Sequence, residues 1–173
     1  QVHGVVSSNE NLAGIGPNVG TETCDVSDFM YSNEWMLRII GNGLYGDHLE
    51  KAFYNAAPGA VNRSFEGHVY FQSPNLVVSS PGVNGPANDP NLPCARWEES
   101  WYHTPPCCTG NQVRMLPNFS HHMMMGTPDG GLAITLHGTS ALNTTLNGVS
   151  TDVIITTDYP FSEQISIAVT SAE

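Results

Sequence analysis

The chain has 173 residues, 40% of them hydrophobic and 12% charged, and it carries a net charge of -11 from five basic and sixteen acidic side chains. The basic residues Arg38, Lys51, Arg63, Arg96 and Arg114 are scattered, so neither a nucleic acid backbone nor an anionic membrane finds the basic patch it requires. No apolar run approaches the about 20 residues that span a bilayer, and a neutral ligand such as a sugar suits this balance.

In chain order, residues 1–21 are polar, with Gly14-Ile15-Gly16-Pro17-Asn18 as a loop signal. A helix is expected over 23–40, with Val26, Phe29, Met30, Met36 and Ile40 near one stripe and Gly41-Asn42-Gly43 as its stop. A second is expected over 47–57, with Asp47 as N-cap, Leu49, Ala52, Phe53 and Ala56 on one face, and Pro58-Gly59 at its end. Glu66 to Ser73 reads as a short extended stretch, and 74–93, rich in Pro, Gly and Asn, as a long surface loop. A third helix is expected over 110–125, with Val113, Leu116 and Met123 near one face and Pro117 kinking or starting it. From Gly126 the pattern changes to alternation: Leu132 to Leu136, Leu142 to Leu146, Val153 to Thr157 and Ile165 to Val169 read as four strands of an antiparallel sandwich. The chain opens on Gln1 and stops at Glu173 in a strand-like stretch, and it reads as a piece of a longer protein.

Its four cysteines are Cys24, Cys94, Cys107 and Cys108. Adjacent cysteines rarely bridge each other, which leaves a wider disulfide framework or a metal site. Glu22, Cys24, Cys107 and Cys108 offer one carboxylate and three thiolates, a tetrahedral set suited to zinc. There is no C-x-x-C pair, so spacing alone does not choose between the two. His121-His122 before three methionines hints at copper, but adjacent helix residues point about 100° apart, and a packed Met-rich helix accounts for them equally. Glu10, on its own, reads as an exposed loop carboxylate. Trp97, Trp101 and Tyr102 read either as core or as platforms for a sugar ring.

Four segments together resemble glycoside hydrolase family 127. Gly20-Thr21-Glu22-Thr23-Cys24 is similar to its G-T-E-x-C segment. His48 to Asn55 is similar to its L-E-x-x-x-(Y/F)-N stretch. Cys107-Cys108-Thr109-Gly110-Asn111 is similar to its C-C-x-x-N, and Asp158-Tyr159-Pro160 to a D-Y-P that opens a strand. The order and approximate spacing agree across nearly the whole chain.

The resemblance implies a mixed α and β fold in which residues 1–126 are the last part of an (α/α)6 catalytic barrel and residues 127–173 begin an antiparallel β-sandwich. It implies a missing first part of the barrel that packs on this chain, so the 173 residues alone are expected to fold poorly or be inactive. It further implies a retaining hydrolase of β-L-arabinofuranosides with zinc as cofactor and a carbohydrate as partner. Glu22, Cys24, Cys107 and Cys108 would be the zinc ligands, Cys107 also the nucleophile and Glu10 the acid/base. Glu50 and Tyr70 would contact substrate, and Cys94 matches no ligand position. Two other expectations stand beside this one: a non-catalytic carbohydrate-binding or scaffold protein with a structural zinc, and a disulfide-linked module without metal.

Overall fold

In the computed structural model, which describes residues 1–7, 14–16, 19–65, 67–73, 80–81, 96–98 and 107–171, the chain forms two units, Gln1–Phe119 and Ser120–Glu173. The fold is mixed, with helices and short strands in the first unit and antiparallel strands in the second.

Strand β1 (Thr21–Glu22) runs directly into helix α1 (Thr23–Ile40), which has the expected span. Glu22 is its N-cap: the Glu22 carboxylate accepts the Asp25 N–H, and Asp25 Oδ2 accepts the Glu22 N–H at 3.3 Å. This reciprocal pair satisfies two donors that the helix end would otherwise leave bare. Gly41 closes the helix at φ 69°, a left-handed conformation natural to glycine, and its N–H reaches Leu37 O at 2.8 Å. The buried stripe differs from expectation. Val26, Met30 and Leu37 line it together with the polar Ser27, Asn33 and Glu34, whereas Met36 and Ile40 are exposed. Asn33 suits a buried position because its side chain donates to Phe29 O at 2.7 Å and lies 3.4 Å from His48 Nδ1.

Helix α2 (Leu44–Lys51) begins three residues before the expected start, and Asp47 lies inside it rather than capping it. Asn42 does the work at this end: its Oδ1 accepts the Leu44 N–H at 3.0 Å and its carbonyl accepts the Tyr45 N–H at 3.1 Å. The helix continues through a π-helical turn, Ala52–Ala56, into a last turn α3 (Ala57–Gly59). Leu49, Ala52 and Ala56 are fully buried.

The extended stretch expected at 66–73 contains β2 (His68–Val69) and β3 (Phe71–Gln72); Glu66 lies outside the described residues. β3 pairs antiparallel with β1, setting Glu22 opposite Phe71. β2 pairs antiparallel with β5 (Arg96–Glu98), which also takes β4 (Ser80–Pro81) in parallel. Most of the loop expected at 74–93 lies outside the described residues.

Helix α4 (Cys107–His121) starts and ends earlier than expected and contains Pro117 in its interior. Its buried side is Cys108, Thr109, Met115 and Phe119; Val113 and Leu116 are exposed. The phase is set by Phe119, which stacks on Phe53 from the π turn with centroids 3.7 Å apart and planes 6° from parallel.

In the second unit, β6 (Met124–Gly126) takes the place of the expected helix end and forms a hairpin with β7 (Leu132–Ile134). Strands β8 (Ser140–Leu146), β9 (Val149–Thr157) and β10 (Ile165–Ser171) form an antiparallel sheet in the order β10-β9-β8, where strands were expected. Asn147 and Gly148, both at positive φ, make the tight two-residue turn between β8 and β9. Thr151, Val153 and Ile155 are buried on one face of β9, with Leu142 opposite Val153 and Ile167 opposite Ile155.

Candidate metal centre

The first turns of α1 and α4 bring together the side chains that the sequence singled out. Glu22, Cys24, Cys107 and Cys108 each present one donor atom, and all four atoms lie within 4.8 Å of one another. Sγ of Cys24 is 3.6 Å from Sγ of Cys108, and Sγ of Cys107 is 4.0 Å from Sγ of Cys108. Oε1 of Glu22 is 3.7 Å from each of Cys107 Sγ and Cys108 Sγ. A tetrahedral zinc with bonds of about 2.3 Å to sulfur separates its sulfur ligands by about 3.8 Å. The observed separations match that edge length, so the donor set and its spacing fit such an ion. They do not fit a disulfide, whose sulfurs sit about 2.05 Å apart; Cys24, Cys107 and Cys108 are free thiols. Cys94 lies outside the described residues.

Local structure explains the convergence. The β1–β3 pairing fixes the backbone of Glu22. The next residue, Thr23, is pinned twice, by its N–H to Tyr70 O at 2.9 Å and by its hydroxyl to Val69 O at 2.6 Å. Both Cys24 and the cysteine pair then occupy helix first turns, where free N–H groups favour negative charge. His68, buried, places Nε2 2.8 Å from the hydroxyl of Thr109, the residue after Cys108.

The three thiols do not titrate alike. Cys24 is held below the usual thiol range, first by its hydrogen bond with Cys108. Cys107 is pushed up, first by burial and then by the neighbouring Cys24. Cys108 is pushed up further, first by its hydrogen bond with Cys24 and then by burial. Without a cation, charge on Cys24 is thus favoured over charge on either of the other two. Cys107 is exposed, Cys24 half-buried and Cys108 buried, so Cys107 is the most exposed of the three cysteines.

The other expected site residues are distributed around this centre. Tyr70 adjoins it through the backbone contact to Thr23, with its ring edge-on to Phe71 at 4.6 Å. Glu50 is buried on α2, one turn before Tyr54, whose phenol is pushed up first by burial and second by the Glu50 charge. Glu10, Trp101 and Tyr102 lie outside the described residues, and Trp97 contributes its backbone to β5. Sequence reasoning met Asn111 only as the end of the C-C-x-x-N segment and Arg114 only as a scattered basic residue. Counting helical turns from the cysteines reveals them, since Cys107, Asn111 and Arg114 share one stripe of α4.

Residues 7–121 match the sequence family described as β-L-arabinofuranosidase, GH127 catalytic domain. The chain belongs to glycoside hydrolase family 127. No curated protein matches it. Among solved structures, it is similar to a GH127 β-L-arabinofuranosidase from Geobacillus stearothermophilus T6, with a TM-score of 0.80 at 19% identity, covering 99% of this chain and 27% of that one. It is also similar to a GH127 β-arabinofuranosidase, with a TM-score of 0.73 at 17% identity over 98% of this chain and 25% of that one. A further match is a glycoside hydrolase with a TM-score of 0.70 at 19% identity, over 92% and 25%. These likenesses establish a shared fold, and the chain spans about a quarter of the length of the solved structures it matches.

Proposed function

We propose that this chain carries the metal-binding and nucleophilic side of a retaining glycoside hydrolase active site that acts on β-L-arabinofuranosides or related glycosides. The observation that supports this most is the tetrahedral spacing of Glu22, Cys24, Cys107 and Cys108 in a family 127 chain. In this reading residues 1–126 belong to an (α/α)6 barrel and 127–173 open a β-sandwich, and the remainder of the barrel packs on this chain.

Zinc bound by Glu22, Cys24, Cys107 and Cys108 would supply the positive charge that keeps all three cysteines as thiolates at neutral pH. Cys107, the most exposed of the three cysteines, attacks the anomeric carbon as the glycosidic bond breaks. The leaving oxygen takes a proton from the carboxyl of Glu10, the residue that the family resemblance assigns to this role. Glu10, now a carboxylate, draws a proton from water, whose oxygen attacks the same carbon while Cys107 departs as thiolate. Two displacements at one carbon restore its configuration. Glu50 and Tyr70 orient the sugar.

Four protein ligands are what a structural zinc site also has; membership of family 127 and the exposure of Cys107 favour the catalytic reading. The test is hydrolysis of an aryl β-L-arabinofuranoside by the full-length protein and by its Cys107→Ser variant, with zinc per chain measured on both. About one zinc per wild-type chain, turnover by wild type and loss of turnover in the variant support the proposal. Zinc without turnover on any arabinofuranoside or related glycoside leaves the scaffold reading; folded protein without zinc ends both.

A further inference from the structure

Strand β2 touches both of the helix starts that carry the cysteines. Its backbone is held along both edges, by β5 opposite His68 and Val69 and by a bridge from Val61 to His68. From this fixed strand two contacts reach the candidate centre. The Val69 carbonyl accepts the Thr23 hydroxyl at 2.6 Å, and Thr23 stands between Glu22 and Cys24. The His68 ring places Nε2 2.8 Å from the Thr109 hydroxyl, and Thr109 directly follows Cys107 and Cys108. A third contact joins the two, since Nδ1 of His68 lies 3.4 Å from the same Val69 carbonyl. Thr23, His68 and Thr109 are 0%, 6% and 8% exposed, so these contacts are made away from water.

The chemistry of the partners sets their direction. A carbonyl oxygen only accepts, so Nδ1 carries the hydrogen that faces Val69; in the neutral ring Nε2 then accepts, and the Thr109 hydroxyl donates to it. An apolar side chain would fill the same space without needing a partner. What the imidazole adds is a directed bond to the first turn of α4. That turn is far from the other anchor of its helix. Phe119 is stacked on Phe53, about 15 Å further along α4 at about 1.5 Å per residue. A pivot of about 4° about that anchor moves the cysteines by about 1 Å. Such a shift spoils the 3.6 Å separation of Cys24 and Cys108 and the 3.7 Å separations from Glu22.

We propose that His68 is a positioning residue for the metal centre: from β2 it holds Thr109 while the adjoining Val69 carbonyl holds Thr23, so that one strand sets the distance between the first turns of α1 and α4. The inference rests on the reading of the four-residue cluster as a metal site and adds the outer partners that keep its two halves in register. Loss of such partners lowers metal affinity.

The experiment uses Zn2+ and Co2+ with the full-length protein, at a temperature where each metal-free variant remains folded by circular dichroism. Affinity is read by chelator competition, and ligand geometry by the sulfur-to-cobalt absorption band. His68→Leu and Thr109→Val are each expected to weaken binding about 10- to 100-fold and to shift the band. The double variant is expected to be no worse than the more affected single one, because both break the same contact. Thr109→Ser, which keeps the hydroxyl, is expected to bind close to wild type. Reading only folded protein separates placement from stability: a variant that merely loosens the fold lowers the thermal midpoint and leaves affinity and band unchanged. That result, with Cys107→Ser still losing the metal, overturns the positioning role alone. So does a Thr109→Ser variant that binds as weakly as Thr109→Val, and this pair decides the matter where His68→Leu does not fold. A wild-type protein that binds neither ion overturns the metal site and this inference together.

Discussion

Sγ of Cys24, in the first turn of α1, lies 3.6 Å from Sγ of Cys108, in the first turn of α4. Charge on one thiol therefore suppresses charge on the other: Cys24 is held low, while Cys108 and Cys107 are pushed up. Thiols must lose their protons to bind metal, so apparent affinity is expected to fall as pH drops. Chelator competition from about pH 8 to about pH 6 measures the slope. A flat profile would mean that the thiols are not the ligands.

Glu22 both caps α1 and offers Oε1 to the cluster. Glu22→Gln keeps an acceptor for the Asp25 N–H but removes the anionic donor. It is expected to leave the metal-free protein near wild-type stability while weakening zinc binding. Glu22→Ala removes both and should cost a further 0.5–2 kcal/mol, about the worth of an N-cap. Unfolding and zinc titration on the same two variants separate the roles.

Phe119 is fully buried and stacked on Phe53. Phe119→Ala is expected to destabilise the first unit by about 3–5 kcal/mol, read by denaturant unfolding of the metal-free protein. Because α4 also carries Cys107 and Cys108, zinc affinity should fall in the same variant although no ligand has changed.

How much of this was visible in the sequence depended on whether the decisive contact was local. The span of α1 could be read because Gly41 is a local stop signal and the apolar repeat ends beside it. The start of α2 was misjudged because Asn42 acts through a turn outside the helix, while Asp47 merely looks like a cap. The face of α4 was misjudged because Val113 and Leu116 are the conspicuous apolar residues, yet the helix is oriented by Phe119 against Phe53 from a distant turn. Cys24 and Cys108 are 84 residues apart, so spacing alone could not join them. Family resemblance named Glu22, Cys24, Cys107 and Cys108 as candidate ligands, and the fold brings the four side chains together. Asn111 was legible only as the end of the C-C-x-x-N segment, and Arg114 only as a scattered cation, until the phase of α4 was known.

Asp129 sits in the β6–β7 turn, where its carboxylate accepts from the Thr127 hydroxyl and, at 3.3 Å, from the Gly131 N–H. These bonds, the Thr127 one foremost, hold its carboxyl below the usual carboxylate range. Such a group stabilises the fold above the unfolded pKa of about 3.9 and loses that contribution as pH falls through its depressed folded value. Asp129→Asn is expected to lower the unfolding midpoint at neutral pH, and the gap should close in strong acid. A gap independent of pH would assign the effect to something other than the carboxylate charge.

Helices α1 and α4 both begin at the cluster. A carboxylate and three thiolates around a divalent cation sum to a formal charge of about -2, and each helix start contributes roughly half a positive charge. The two helices thus offset about one of those two charges. With such a cation bound, the remainder would sit beside the exposed Cys107. An anion approaching that sulfur would meet repulsion and an uncharged molecule would not, so a loaded centre would sort its visitors by charge before any shape is compared.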